Sequence, residues 1–478
     1  MINPILMIVI PLVLAFLAVI FKKQGKTLLL IALITNIVMM FFLTKGQTTI
    51  GGFKAPFGIS LVLDNYSYYS ILLINSLFLF GSIISEDLIK KYSVVLLASL
   101  AGINGMLLTG DLFNLFVFLE ITAIAAYILS SSSKKYKDTI NYLILGSIGS
   151  IFYLLGIILL YSMTGSLNMA DLAIKLGTLT DKQLYIPIIL IFLGISVEAK
   201  MMPLSGWVKG IYQNANKLVG SLFASVFAGA ILFVFGRLFV SVLPLTSILK
   251  MFMLAIGLFT FVFGEFAAFK QVDVRKILLY SSIGQAGLVV TLFISGLTFP
   301  AVLLITSNVI SKLVMFSISG MFKEQYDSDN YKELGGVFTH NKIAGIAFTI
   351  SALSITGIPL FFGFYTKLNI ITGYFSQSNY IIPAIVLLVA IVEGAYIIRM
   401  LISFWAPGKE GQVSKVEFAI GDKKLMSTYK AFVALTLALV LLFAGLLPDR
   451  ATKIITFGDA FLNGSVPSFS MTDLKGGN

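Results

Sequence analysis

The sequence predicts an all-α polytopic membrane protein of about 14 transmembrane helices, with two inverted five-helix repeats and breaks in helices 7 and 12. Three observations predict it: the composition, the length of the apolar runs, and a matched pair of proline–glycine interruptions. Of 478 residues, 58% are hydrophobic and only 12% are charged, about half the charged fraction of a water-soluble domain. Apolar runs of about 18 to 22 residues recur along the chain, the length that crosses about 30 Å of hydrocarbon as a helix. So many runs leave little chain for a soluble domain, and the bilayer becomes the solvent of the whole fold.

Spans are expected at about residues 3–21, 27–44, 66–85, 93–109, 112–130, 140–162, 186–206, 218–241, 250–268, 276–296, 299–320, 343–371, 381–404 and 430–447. The first apolar run, Ile5 to Phe21, precedes Lys22, Lys23 and Lys26 rather than following a basic segment. It reads as a first transmembrane helix, not a cleaved signal peptide. With the N-terminus outside, inner loops hold more than twice as many Lys and Arg residues as outer loops and rims. That bias places both termini outside a cytoplasmic membrane. It also accounts for the net charge of +12 without a nucleic-acid partner.

The chain then divides into residues 1–110 (helices 1–4), 111–241 (the first repeat core), 242–405 (the second repeat) and 406–478 (an inner loop, helix 14 and a tail). Span 12 is too long for one straight crossing and contains Gly357, Pro359 and Gly363; span 7 contains Pro203 and Gly206. Proline removes a backbone donor, and in a bilayer the freed carbonyl must be met by protein or by a wet cavity. Met202-Pro203-Leu204 followed by Gly206-Trp207 matches Ile358-Pro359-Leu360 followed by Gly363-Phe364. The two lie five spans apart, and an odd number reverses orientation. Paired broken helices in inverted repeats point to a transport site; chance is the plain alternative, since such dipeptides are common.

At least seven ionisable residues fall inside spans: Glu120, Glu198, Lys200, Glu265, Lys312, Lys367 and Glu393. Each costs about 2.5 to 3.5 kcal/mol at mid-bilayer, so together they exceed a typical stability of about 5 to 15 kcal/mol. They must face protein or water and be paired. Interhelical ion pairs would explain any one of them, but as a set they cost more than apolar packing. Desolvation brings a lysine's pKa toward neutrality and a nearby carboxylate raises it again, which is the physical basis of an electrostatic proton relay. Glu120 in particular needs a cation nearby or it will be protonated at neutral pH. Tyr280, Ser282, Gln285 and Asn308 are candidates for a water wire between these charges; helix packing is the alternative.

Several chemistries are excluded. There are no cysteines, hence no disulfide, iron–sulfur cluster or thiolate metal site within this chain. His340 is the single histidine, too few for haem or a metal cluster. No dinucleotide motif, nucleophile elbow or phosphate-binding loop is present. No cofactor and no catalytic site are expected in this chain.

Three segments carry a family resemblance: Asp111-Leu112-Phe113-Asn114-Leu115-Phe116-Val117-Phe118-Leu119-Glu120, Asp273-Val274-Arg275-Lys276-Ile277-Leu278-Leu279-Tyr280-Ser281-Ser282-Ile283-Gly284-Gln285, and Gly357-Ile358-Pro359-Leu360-Phe361-Phe362-Gly363-Phe364-Tyr365-Thr366-Lys367. Over about residues 60–450 the chain resembles the antiporter-like membrane subunits shared by Mrp sodium/proton antiporters, respiratory complex I and related hydrogenase and sulfur-reductase complexes, and it looks most similar to the Mrp D-type subunit. The resemblance implies a central axis of Glu and Lys, partner membrane subunits, and protons or sodium ions as cargo. By position it implies that Glu120 is the span 5 glutamate, Lys312 the span 11 lysine and Lys367 the charged residue of broken helix 12.

The departures fall in the first half. Where the family pattern has its span 7 lysine, this chain has Glu198, with Lys200 two residues later; on a continuous helix the two point about 200° apart. The expected span 8 lysine falls near Gly229. A histidine expected four residues before Lys312 is Asn308, and the stretch after the first break is Trp207-Val208-Lys209-Gly210. Two readings follow: a complete ion-translocating subunit using Glu120, Glu198, Lys200, Lys312, Lys367 and Glu393, or a degenerate paralogue that bridges its complex with an inactive first half. An independent small-solute transporter is the third.

Overall fold

The structure is a computed structural model that describes residues 3–53, 58–406 and 426–456. The expected inner loop at 407–425 and tail at 457–478 lie outside the described residues. Among the described residues, eleven helices are long and apolar enough to cross a membrane, and two shorter apolar helices, Leu6–Ile20 and Lys342–Thr356, accompany them. The two short strands Gly46–Thr49 and Ser60–Leu63 pair antiparallel, with Gly46 opposite Leu63. The chain is a polytopic, mostly helical membrane protein.

Three helices form the centre. Lys217–Val242, Val274–Ile294 and Thr298–Tyr326 each have 94% of their spanning residues buried, whereas the outer helices Tyr136–Thr164 and Thr428–Leu446 have 33% and 28%. A helix enclosed on every side can carry polar groups on one face without meeting lipid. Outer helices instead turn large apolar side chains outward: Phe16 is 74% exposed and Ile391 70%. That is the pattern of a surface solvated by hydrocarbon.

Helix Glu86–Leu108 starts seven residues earlier than the hydropathy of its apolar stretch suggests. Pairing makes the polar first turn tolerable. Glu86 accepts from Lys26, while Asp87 pairs with Lys430 and, at 2.7 Å, with Lys217. Acidic residues there also suit the positive end of the helix dipole. Pro11 lies inside helix Leu6–Ile20 and leaves the Met7 carbonyl without its helical donor. Asn104 fills the gap at 3.0 Å and Asn36 at 3.4 Å, and Asn75 links to both asparagines.

Two backbone patterns recur at a constant separation. Helices Tyr136–Thr164 and Thr298–Tyr326 are both 29 residues long. Each ends on a left-handed residue, Gly165 or Asp327. Asp111 bridges to Asn168 and Asp273 to Asn330. The intervals 111 to 273, 165 to 327 and 168 to 330 are all 162 residues. Likewise, Glu86–Leu108 and Ser247–Phe269 are both 23 residues long.

One buried ion pair locks the helix-entry side. Asp64 caps helix Asn65–Ile84 with a capping box to Ser67. It also receives two bonds from Arg237, at 2.5 and 2.7 Å. Burial opposes ionisation of Asp64, but the Arg237 charge and its bonds outweigh that and hold the carboxyl below its ordinary range. A depressed carboxylate stabilises above its unfolded value near about 4 and loses that contribution as pH falls through the lower folded value. Asp64→Asn leaves Arg237 buried without its anion and is expected to cost about 3 to 5 kcal/mol at neutral pH. Thermal unfolding in detergent across pH checks this: the variant should sit well below wild type at pH 7, and the difference should shrink below about pH 4.

Candidate functional site

Helix Asp181–Glu198 stops at Glu198, and helix Gly206–Asn214 resumes the path. Between them Lys200 takes a left-handed backbone conformation, φ 64°. The break's polar backbone is satisfied from outside: Trp207 Nε1 donates to the Val197 carbonyl at 3.1 Å, and the Met202 amide donates to Thr260 Oγ1 at 3.0 Å. The expected 200° divergence of Glu198 and Lys200 presupposes a continuous helix. Since the helix ends at Glu198, both side chains line one cavity instead. Tyr142, stacked on Trp207 at 3.9 Å, donates to Glu198 at 3.0 Å. Lys200, 2% exposed, donates to Tyr212 at 3.1 Å and to Ser282 at 3.0 Å.

Glu120 lies half-buried two turns into helix Leu112–Ser130. The sequence offers it a neighbouring cation or a proton of its own; the partner seen is a hydroxyl, since Ser150 donates to Glu120. One donor bond stabilises a carboxylate less than a paired ammonium does. Gly229, where the resemblance implies a lysine, is closely packed, so that a larger residue there would have to displace its neighbours. A Cβ there would stand 2.8 Å from Ile74 Cδ1 and 2.9 Å from Val309 Cγ1.

The second half is denser. Lys312, 1% exposed, donates to Ser281 Oγ at 2.8 Å and to the Leu278 carbonyl at 3.2 Å. Gln285 Nε2 bridges two carboxylates, donating to Glu393 Oε1 at 2.9 Å and Glu265 Oε1 at 3.1 Å. Asn308 donates to Gln285 Oε1 at 3.3 Å. Helix Lys342–Thr356 ends at Gly357, φ 77°, and helix Phe362–Ser376 follows. Across that gap Lys367 donates to the Thr356 carbonyl at 2.8 Å and to Glu393 Oε2 at 2.5 Å. A Cβ on Gly357 would lie 2.7 Å from Lys367 Cδ, so glycine here both permits the left-handed turn and clears the lysine's path.

Small cavities join these groups. Three of them, each with about 20 Å³ open to the centre of a water molecule, are lined by Glu120 and Glu198, by Glu198 and Lys200, and by Lys200, Asn308 and Lys312. Each is large enough for about one water, and neighbours share a lining residue. Of the residues proposed from sequence, Glu120, Glu198, Lys200, Lys312, Lys367, Glu393, Ser282, Gln285 and Asn308 therefore come together. Tyr280 does not. It lies 100° around its helix from Ser281 and packs among apolar side chains.

Glu265 is one of the interior charges evident in the sequence, yet nothing there assigns it a part in the axis. It is 0% exposed and accepts from Tyr396 at 2.7 Å as well as from Gln285. The available signal is a lone carboxylate beside Gly264 in an apolar helix. Gly264 and Gly284 let the helices close until a Cβ on Gly284 would stand 2.8 Å from Glu265 Oε1. Tyr142, Tyr212 and Tyr396 carry no sequence signal that separates them from ordinary membrane aromatics.

Fold and site together define a multi-pass membrane protein whose interior is threaded by carboxylates and ammonium groups. The chain belongs to the NADH:quinone oxidoreductase/Mrp antiporter transmembrane family, whose profile matches residues 109–392, as its three motif segments indicate. It is 32% identical over 413 residues to the D-type subunit of the Na(+)/H(+) antiporter of Alkalihalophilus pseudofirmus, covering 82% of each chain. A chain of the membrane-bound sulfane sulfur reductase, an archaeal respiratory membrane complex, superposes with a TM-score of 0.86 at 29% identity, covering 95% of this chain and 96% of that one. A chain of the Mrp complex from Dietzia sp. gives a TM-score of 0.88 at 20% identity, with 99% of each covered.

The Gln285 bridge is directly testable. Gln285→Leu leaves two buried carboxylates without their shared donor and is expected to cost about 1 to 3 kcal/mol, read as a lowered thermal midpoint in detergent.

Proposed function

We propose that this chain is a proton- or sodium/proton-translocating antiporter-like subunit of a multisubunit Mrp-type or respiratory membrane complex. Glu120, Glu198, Lys200, Lys312, Lys367 and Glu393 carry the relay, with water and the Ser282, Gln285 and Asn308 side chains between them. One observation carries this reading: the buried charges of both halves are connected from Glu120 to Lys367 by side-chain bonds and water-sized cavities that share lining residues. Isolated structural ion pairs need no such continuity. The relatives support a complex-bound role, being the D-type subunit of a Na(+)/H(+) antiporter and chains of Mrp and respiratory membrane assemblies.

The architecture proposed with it has fourteen crossings, counting the shorter apolar helices and treating each interrupted pair as one. Residues 111–241 and 242–405 then belong to inverted repeats, flanked by 1–110 and 406–478. The recurring 162-residue interval between Asp–Asn bridges and left-handed helix ends supports that pairing, as do the matched lengths of helices Tyr136–Thr164 and Thr298–Tyr326. Five crossings between equivalent points reverse orientation, and both termini lie outside the cytoplasmic membrane.

A second reading keeps the chain in its complex but makes the first half a bridge that passes no ions. The close packing at Gly229 and the lone hydroxyl partner of Glu120 favour it. Vesicles containing the assembled complex separate the two, with ion-linked proton movement followed by a pH-sensitive dye. Lys367→Ala is expected to slow translocation at least tenfold, about 1.4 kcal/mol or more in barrier, without loss of assembly; wild-type rates would remove the relay. Glu120→Gln slows it as well if both halves conduct, and leaves it unchanged if the first half is only a bridge.

A further inference from the structure

Glu265 and Tyr396 are fully buried, tied to the axis, and unused in the relay described above. Lys312 donates to Ser281 Oγ at 2.8 Å. Tyr396 donates to Glu265 Oε2 at 2.7 Å, and the Ser281 side chain neighbours the Tyr396 hydroxyl. The four groups come from four helices, Thr298–Tyr326, Val274–Ile294, Ile381–Trp405 and Ser247–Phe269. The remaining charged or polar groups facing them are Lys200, Glu393, Lys367, Gln285, Asn308 and Ser282.

We propose that Ser281 and Tyr396 form a hydroxyl wire that carries a proton between Lys312 and Glu265, making Glu265 a proton-holding residue of the transport cycle. The inference rests on the translocation reading above. A proton leaves the Lys312 ammonium for Ser281 Oγ. In the same step the Ser281 proton passes to the Tyr396 oxygen, and the Tyr396 proton passes to Glu265 Oε2. Lys312 becomes a neutral amine and Glu265 a neutral carboxylic acid; both hydroxyls are restored, and the reverse shift regenerates the charges. The neutral pair is the form that a low-dielectric interior favours.

The Gln285 bridge couples this step to Lys367. While Lys367 pairs with Glu393, the negative charge next to Glu265 is compensated. When that pair opens, an unpaired Glu393 carboxylate sits across one amide from Glu265, and like charge drives the proton onto Glu265. Opening of the ion pair and loading of the carboxyl therefore occur together.

The test uses the assembled complex in vesicles carrying Tyr396→Phe, Ser281→Ala or Glu265→Gln, with Lys367→Ala alongside. Each of the first three is expected to slow proton movement at least about tenfold at unchanged complex yield. Glu265→Gln should also remove a carboxylic-acid C=O stretch from the infrared difference spectrum between acid and alkaline vesicles, which a merely structural glutamate would not contribute. Wild-type rates in Tyr396→Phe and Ser281→Ala while Lys367→Ala is slow, or survival of that band in Glu265→Gln, overturn the wire and leave the relay standing. Wild-type rates in Lys367→Ala as well overturn the translocation reading, and the wire with it. If Tyr396→Phe does not assemble, Ser281→Ala decides by the same criteria.

Discussion

The ammonium of Lys367 closes a broken helix and neutralises a buried carboxylate at once, through Thr356 and Glu393. Much of the second half is organised around that contact. A helix can stop inside hydrocarbon only if its freed carbonyls find donors, and a carboxylate can stay there only with a counter-charge. One lysine meets both demands, aided by the favourable interaction of a cation with a helix C-terminus. The left-handed Gly357 makes this possible, because its missing Cβ is where the lysine stem passes.

The first break solves the same backbone problem with different chemistry. There the indole of Trp207 and the hydroxyl of Thr260 satisfy the chain. Lys200 is left to point into the core between Tyr212 and Ser282. It thereby becomes the link between the halves, since its cavities adjoin Glu198 on one side and Lys312 on the other. The lysine displaced by two residues from the family pattern still reaches the axis because the helix no longer dictates its direction.

The two halves differ in how tightly charge is held. In the second, Gln285 and Tyr396 donate to Glu265, Gln285 and Lys367 donate to Glu393, and Lys312 donates to Ser281. In the first, hydroxyls alone meet the carboxylates Glu120 and Glu198, and Gly229 brings two helices together where a longer side chain would stand. Hydroxyl-bound carboxylates joined by single-water cavities respond to hydration more readily than amide-locked ones.

The membrane class, the helix ends near Pro203 and Pro359, and the presence of interior charges were legible in the sequence alone. Long apolar runs, helix-breaking residues and costly interior charges are properties of single segments, so they read directly from the chain. Not legible were the end of helix Asp181–Glu198, the donor that Glu120 receives, the turning away of Tyr280, and the joining of Glu265 to Tyr396 and Gln285. Those depend on which faces of separate helices meet, and a stretch such as Gly264-Glu265 or Tyr396 looks the same whether it faces a neighbour or a lipid. The packing of the three central helices against Ser247–Phe269 and Ile381–Trp405 decided it, because a hydrogen bond needs its partner within about 3 Å and spacing along one chain does not specify that.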